Sequence, residues 1–180
     1  MTTSSILQQA LTLPCGQIIP NRIIKGAMTE GVADKNDHAT VAHQTLYRTW
    51  SKGQTGVLIS GNIMVDKRYL ERAGNVVVED ESGFEQLKAW ADATHEGSSL
   101  LWAQISHPGR QCPRMVSTKP LSASNVQLNM IGNFGKPKAA TLEDIQDVIK
   151  RFATTASILK KAGFDGVEIH AAHGYFISQF

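Results

Sequence analysis

The sequence predicts an α/β fold with a parallel sheet, on three observations. Short apolar runs at residues 21–28, 55–60, 100–105 and 166–169 indicate strands. The second run has no polar residue between Val57 and Ile59, which is typical of a strand buried on both faces. Segments with helical periodicity separate these runs, and alternating strands and helices favour a parallel sheet covered by helices.

Three amphipathic helices are expected. The first covers residues 40–52 and ends at Gly53, the second covers residues 84–94 and ends near Gly97, and the third begins at Thr141 and ends before Gly163. Thr141 and Asp144 form a capping-box pattern at the start of the third helix. The apolar faces are Val41, Leu46, Tyr47 and Trp50; Phe84, Leu87, Trp90 and Ala91; and Ile145, Val148, Ile149, Phe152, Ala156 and Leu159.

The remaining segments are expected to be irregular. Residues 1–16 resemble a polar lead-in, and residues 17–20 a short extended piece. Residues 111–140 are rich in Ser, Pro, Gly and Asn and lack periodicity. A loop of that length inside a compact domain is usually functional or mobile.

Composition excludes several classes of protein. The chain has 180 residues, which predicts one domain, and 42% hydrophobic with 19% charged residues is ordinary for a globular protein. The net charge of +2 gives no reason to expect nucleic-acid or membrane binding. Cys15 and Cys112 show no paired spacing, so a reducing, cytoplasmic setting is expected. Neither a signal peptide nor an apolar run of about 20 residues is apparent.

The strand ends decide between two parallel architectures. A doubly wound nucleotide-binding fold would place a GxGxxG turn after its first strand, and residues 26–31 do not match it. Functional groups gathered at successive strand ends instead favour a (βα)₈ TIM barrel, of which four strands are roughly the first half. These groups are Thr29, Ser60, Asn62, Gln104, His107, His170 and His173.

His170 and His173, followed by Tyr175, form the most informative group. Two imidazoles at the end of a strand can donate hydrogen bonds to one substrate oxygen, and preplaced donors stabilise a developing oxyanion. They can equally lie in a solvated loop, or bind zinc together with His107. Tyr175 can donate a proton or simply pack as an aromatic residue.

The roles of Gln104 and Thr29 also have two interpretations each. A buried amide such as Gln104 must be paired, either with backbone or with the amide-like edge of a heterocycle. The Thr29 hydroxyl can bind a cofactor carbonyl or cap a turn. The residues themselves leave both choices open.

Four sequence blocks resemble the Old Yellow Enzyme family of FMN-dependent ene-reductases and NADH:flavin oxidoreductases. They are residues 21–29, 56–61, 104–110 and 165–175, the last reading DGVEIHAAHGY. They occur in the family's order and span nearly the whole chain.

The resemblance implies a (βα)₈ barrel with FMN across its mouth and NADH or NADPH as electron donor. It also implies a role for each candidate residue. Ala27, Met28, Thr29, Asn62, Gln104 and His170 would contact FMN, His170 and His173 would hold a substrate oxygen, and Tyr175 would protonate the substrate. The implied partner is a small molecule with an activated double bond, in a possible homo-oligomer that binds neither nucleic acid nor membrane.

Two residues depart from the family pattern, because members often carry proline at Ala27 and alanine or glycine at Asn62. The chain is expected to be the amino-terminal half of a single FMN-binding barrel domain, with no second domain. The segments expected to hold the FMN phosphate are absent, so these 180 residues alone should bind FMN weakly or not at all. A metal-dependent barrel hydrolase and a non-catalytic remnant are the alternatives.

Overall fold

The computed structural model describes residues 5–180. Three α-helices are present in this part of the chain: α1 (Val41–Lys52), α2 (Phe84–His95) and α3 (Leu142–Lys161). None of the described helices is both long and apolar enough to cross a membrane. The strands are β1 (Leu11–Thr12), β2 (Ile18–Ile19), β3 (Ile24–Lys25), β4 (Val57–Ile59), β5 (Ile63–Met64), β6 (Val76–Val77), β7 (Leu100–Ser106), β8 (Leu121–Ser122), β9 (Lys138–Ala139) and β10 (Gly166–Ile169).

Four parallel strands form the framework in the order β3, β4, β7, β10. Helix α1 connects the first pair, α2 leads into β7, and α3 leads into β10. Neighbours in sequence are therefore neighbours in the sheet, as in successive βα units of a barrel. This arrangement confirms the predicted α/β fold and parallel sheet.

Strands β4 and β5 are one strand interrupted by residues 60–62. Both pair with the same edge of β7, with Val57 opposite Leu100 and Ile63 opposite Ile105. At the interruption the Ser60 hydroxyl accepts a hydrogen bond from the Gln104 backbone N–H at 3.0 Å. The Ser60 N–H still donates to the Trp102 carbonyl at 2.8 Å, so the backbone leaves the ladder at residues 61–62, beyond the carboxyl end of β4, where the strand-end groups gather.

The two faces of the sheet are covered differently. Side chains facing the helices form the main core, which includes Leu58 and Leu101 from the strands and Tyr47 and Trp90 from the helices. On the opposite face, the short antiparallel pair β1–β2 covers Val57 and Ile59 through Ile19. Part of the predicted polar lead-in is therefore structured, because its apolar residues close the amino-terminal end of the sheet. Residues 1–4 of that lead-in lie outside the described residues.

Most predicted elements are found close to their predicted bounds. The helices and β10 agree within one or two residues, and β7 extends one residue further, to Ser106. The first predicted strand, residues 21–28, is much shorter and contains only β3. Strands β5 and β6 were not expected. The long loop at residues 111–140 also contains two paired strands, β8 and β9.

Helix α3 begins with the expected capping box. The Thr141 side chain accepts a hydrogen bond from the Asp144 N–H at 3.1 Å, and Asp144 accepts one from the Thr141 N–H at 2.9 Å. The helix ends at Lys161, and Gly163 adopts a φ of 100°, a conformation that favours glycine. The turn at Gly163 returns the chain directly to β10.

Strand β10 forms one open side of the structure. Within the described residues it pairs only with β7, and the side chains of Val167 and Ile169 are 38% and 56% exposed. These residues line an apolar groove of about 550 Å³ together with Ile149 and Phe152 of α3. Strand β3 likewise has one sheet neighbour, β4. The sheet is therefore open at both edges.

Candidate active site at the strand ends

The segment that follows β3 packs directly against residues 60–62. A β-carbon on Gly61 would collide with the carbonyl oxygen of Met28 and lie 2.5 Å from the Thr29 Cα. The Glu30 carboxylate fixes this contact, because it accepts hydrogen bonds from the Gly61 N–H at 3.0 Å and from the Tyr47 hydroxyl. Residues 27–29 and Asn62, which the resemblance assigns to a cofactor, are thus held side by side.

Lys25 also connects the end of β4 to the segment that follows β3. Its ammonium group donates to the carbonyls of Ile59 at 2.6 Å and Gly26 at 2.9 Å, and it lies 5.1 Å from the Trp50 ring centre. Burial lowers the pKa of Lys25, and Glu30 opposes that shift. Because the two carbonyls belong to β4 and to the segment after β3, these hydrogen bonds hold the two strand ends next to each other.

Asn62 carries an unused hydrogen-bond acceptor. Its side chain is buried, and among residues 5–180 the Oδ1 atom has no hydrogen-bond partner. Its backbone carbonyl accepts from the Asn75 amide at 3.2 Å. Because buried polar atoms are nearly always paired, Oδ1 is suited to accept an N–H or O–H from a bound molecule.

The two histidines lie together at the end of β10. Their ring centres are 5.2 Å apart and the rings are perpendicular. His170 is 7% exposed, whereas His173 lies on the surface. The His170 Nδ1 atom accepts from the Ala172 N–H at 3.4 Å, which leaves Nε2 to carry the proton and donate. Burial, followed by the charge of His173, lowers the pKa of His170, so its ring is neutral near pH 7.

Tyr175 packs edge-on against His170, with ring centres 4.8 Å apart. The turn that brings it there uses two left-handed residues, His173 at φ 57° and Gly174 at φ 75°. Gln111 secures the turn by donating to the His173 carbonyl at 2.6 Å. The sequence prediction that the two histidines and Tyr175 lie together is therefore supported by the geometry.

Burial and two neighbouring side chains act on the pKa of Tyr175. Burial raises the pKa of Tyr175, and the negative charge of Glu71 raises it further. A hydrogen bond from the Asn62 amide acts in the opposite direction and lowers the pKa. Tyr175 is therefore a neutral phenol near pH 7, with an amide placed to stabilise its anion.

Gln104 has a side-chain partner that the sequence did not indicate. Its amide donates to the Glu168 carboxylate at 2.5 Å. The two residues are opposite each other on the parallel strands β7 and β10, so their side chains point to the same face. Gln104 and Glu168 thus form a polar pair on the face of the sheet away from the helices.

A cavity of about 610 Å³ lies beside Tyr175. Part of its wall comes from residues 111–134, within the long loop that the sequence predicts to be functional or mobile. Glu71 reaches it from the connection between β5 and β6. The lining residues are Glu71, Gln111, Pro113, Arg114, Met115, Gly132, Asn133, Phe134 and Tyr175.

His107, the third ligand that a zinc site would need, lies apart from the histidine pair. It is buried between Tyr69 and Phe176, with ring centres 5.0 Å and 4.7 Å away. Its Nδ1 atom accepts from the Gly109 N–H, and burial lowers its pKa to about 4. Residues 5–180 contain no group of three His, Cys, Asp or Glu side chains arranged to hold a metal ion.

Sequence reasoning missed two carboxylates, Glu71 and Glu168. Glu168 alternates with the apolar residues of β10, and that period-two pattern was the available signal for an inward-facing acid. Glu71 lies in the charged run at residues 67–72, which gives no periodic signal. Its placement depends on the path of a loop.

Comparisons with known proteins agree on one family. A family model described as NADH:flavin oxidoreductase / NADH oxidase matches residues 15–180. NADH-dependent flavin oxidoreductase nadA of Aspergillus parasiticus is 40% identical over 89% of this chain and 40% of its own length. NADH-dependent flavin oxidoreductase iliE of Hypocrea jecorina is 34% identical over 94% of this chain and 47% of its own length. The chain therefore spans less than half the length of these relatives.

Solved structures show the same extent of similarity. The Old Yellow Enzyme homologue from Zymomonas mobilis matches with a TM-score of 0.86 and 26% identity, over 94% of this chain and 49% of that one. A structure of TcOYE with pHBA matches with a TM-score of 0.84 and 25% identity, over 96% and 53% of the two chains. These neighbours are TIM barrels, so the four-stranded sheet corresponds to about half of a barrel.

The family's cofactor is FMN, with NADH or NADPH as electron donor. The strand ends offer three features that fit a flat heteroaromatic ring. Asn62 presents a buried, unused acceptor, the glycine at position 61 allows the backbone of residues 27–29 to approach closely, and the Met28 side chain is exposed beside them. On this sequence match, these relatives and this half-barrel fold, the chain belongs to the NADH:flavin oxidoreductase / NADH oxidase family, and its fold is that of the Old Yellow Enzymes.

Proposed function

We propose that this chain provides the substrate-side catalytic residues of an FMN-dependent oxidoreductase that uses NADH or NADPH to reduce activated alkenes, such as enones. The convergence of His170, His173 and Tyr175 at the end of β10, beside the 610 Å³ cavity, carries the proposal. Membership in the family supports the oxidoreductase class. The alkene substrate rests on the geometry and on the resemblance.

Residues from four strands or their ends would hold the cofactor. Ala27, Met28 and Thr29 would lie along the ring, with Asn62 at its polar edge. Gln104 and His170 would contact it from β7 and β10. When bound, FMN would supply hydride transfer from the nicotinamide to the substrate carbon.

His170 and His173 would polarise the substrate. A neutral His170 donates through Nε2, and a perpendicular second ring can present a donor from another direction. Two preplaced donors on one carbonyl oxygen stabilise the negative charge that builds there when hydride arrives at the β-carbon. We propose that this pair sets the orientation of the alkene.

Tyr175 would complete the reduction by protonating the α-carbon. Its O–H bond breaks as the new C–H bond forms, and the resulting phenolate recovers a proton from solvent. The net change is one hydride and one proton added across the double bond, with the nicotinamide oxidised. The Asn62 amide favours this step because it stabilises the phenolate.

We further propose that these 180 residues form the amino-terminal half of a single FMN-binding barrel domain. The matched lengths of relatives, 40% to 49%, support this division. A metal-dependent hydrolase would need His107 as a third metal ligand. The His107 ring packs between Tyr69 and Phe176, so it does not support that alternative.

Substitution of Tyr175 tests the proposal. The sample is the native polypeptide, with the length it has in its own source. Tyr175→Phe should slow reduction of 2-cyclohexenone by about 10²- to 10⁴-fold, the usual contribution of a general acid. Reduction of the bound flavin by NADPH or NADH should be unchanged. Tyr69→Phe, which removes a phenol outside the cavity lining, serves as the matched control. Full turnover by the Tyr175→Phe variant would refute the assignment.

A further inference from the structure

We propose that Glu71 is a specificity-determining residue, whose carboxylate disfavours alkenes activated by a carboxylate and favours neutral enones, amides and esters. The inference rests on the proposed function, because it concerns which substrates reach Tyr175. Glu71 lies on the connection between β5 and β6, outside every sequence block that the family resemblance uses.

The Glu71 carboxylate is held in place from two sides. Its Oε2 atom accepts hydrogen bonds from the Thr29 hydroxyl at 3.3 Å and from the Asn75 amide at 3.4 Å. Asn75 is 1% exposed and is itself fixed, because the same amide donates to the Asn62 carbonyl at 3.2 Å and Oδ1 accepts from the Arg72 N–H at 2.8 Å. The position of Glu71 is thus tied to the ends of β3 and β4, two of the strand ends that form the site.

Glu71 also acts directly on the proposed catalytic groups. It lines the 610 Å³ cavity together with Tyr175. Its negative charge raises the pKa of Tyr175 and opposes the lowering of the pKa of His170. The other charged groups that act on His170 are His173, which lowers its pKa, and Glu168, which raises it. A substrate group held by the histidines therefore lies within the field of Glu71.

The sign of that field determines the preference. A carboxylate placed between His170 and His173 would meet a second negative charge in a partly buried site, where solvent screens weakly. A neutral carbonyl pays no such cost and keeps the same two hydrogen bonds. Arg114 also lines the cavity, but its side chain is exposed, so solvent screens its attraction for an anion more strongly.

The test compares a neutral and an anionic alkene of similar shape. Values of kcat/KM are measured for 2-cyclohexenone and for cyclohex-1-ene-1-carboxylate. The enzyme is the native polypeptide, with the length it has in its own source. Glu71→Gln keeps the shape and one carbonyl oxygen, which can accept the hydrogen bonds that Thr29 and Asn75 donate to Oε2, but it removes the charge. It should raise the relative kcat/KM for the carboxylate by about tenfold or more, because juxtaposed like charges disfavour binding strongly. Glu85→Gln, an equal change of net charge on α2, should leave the ratio unchanged.

A second readout separates failure of this inference from failure of the proposed function. Ultraviolet titration of the same polypeptide, with the Tyr175→Phe variant as a reference, isolates the Tyr175 phenol. Glu71→Gln should lower the pKa of Tyr175 and Glu85→Gln should not. If the wild-type protein reduces neither alkene, the proposed function fails, and the titration alone decides whether Glu71 acts on Tyr175. An unchanged substrate ratio in an active enzyme, or an unchanged Tyr175 titration, would overturn the inference.

Discussion

Gly61 is the residue at which the ends of β3 and β4, which we propose to face the cofactor, meet. A β-carbon there would collide with the Met28 carbonyl, which belongs to the backbone and cannot rotate away. Gly61→Ala should therefore displace residues 27–29 from Asn62. We expect it to lower the free energy of unfolding by about 1–3 kcal/mol, the usual cost of overpacking, and to weaken FMN retention.

Gly26→Ala is the matched control for this prediction. It changes the same residue type in the same segment, where an added β-carbon meets nothing within 4 Å. Urea denaturation and the flavin content after gel filtration would be measured for both variants. Equal stability and equal flavin content in the two variants would show that the close approach at Gly61 is unimportant.

Single residues were predictable from the sequence where a strand or a short turn fixes them. His170, His173 and Tyr175 follow a four-residue strand within six positions, so local geometry alone brings them together. Glu71 could not be found in this way, because no repeating pattern fixes the path of residues 65–75. The pairing of Gln104 with Glu168 could not be predicted either, because it depends on the register of β7 against β10.

At the scale of elements, an ion pair links α2 to the start of β10. The His95 Nε2 atom lies 2.8 Å from the Asp165 carboxylate, which also accepts from the Leu101 N–H at 2.8 Å. The hydrogen bond to Asp165 raises the pKa of His95 above its ordinary value of 6.5. The pair therefore joins helix, loop and central strand at the amino-terminal end of β10.

This pair predicts a pH dependence of stability. Because the pKa of His95 is raised on folding, its contribution is fully present below the unfolded value near 6.5 and is lost as pH rises through the folded value. The difference in urea midpoint between wild type and His95→Gln should therefore shrink as pH rises from about 5.5 to 8.5. High salt should reduce it, because the side chain is 38% exposed. A difference that is independent of pH would contradict the assignment.

Elements were predictable in proportion to their length and periodicity. Helix α3 shows a continuous apolar stripe and a capping box, and its bounds follow from both. Strands β5 and β6 have two residues each and no alternation, so their existence depends on a ladder with β7 that the sequence does not reveal. Strand β2 lies within the extended piece predicted at residues 17–20, whereas β1 was missed because its apolar residues are few and a polar turn follows them.

At the scale of the whole molecule, the sheet is open at β3 and β10, and an apolar groove adjoins β10. Open strand edges and exposed apolar surfaces promote pairing between chains. We expect the 180-residue polypeptide, produced alone, to self-associate as its concentration rises. Sedimentation equilibrium would measure this behaviour.

One substitution and its control would locate the surface responsible for self-association. Ile169→Lys places a charge in the groove beside β10 and should reduce association. Ile131→Lys changes an isoleucine that is 98% exposed in the long loop, away from the groove, and should have little effect. A monomeric wild-type chain at high concentration would contradict the prediction.

The most direct test of the central proposal, that this chain carries half of an FMN-dependent active site, is native mass spectrometry of the polypeptide purified from its own source. The spectrum reports the mass of the polypeptide and of any retained cofactor together. We predict one FMN per polypeptide, with a flavin spectrum that is bleached by NADH or NADPH. A folded polypeptide that carries no flavin and takes up none from added FMN would contradict the account.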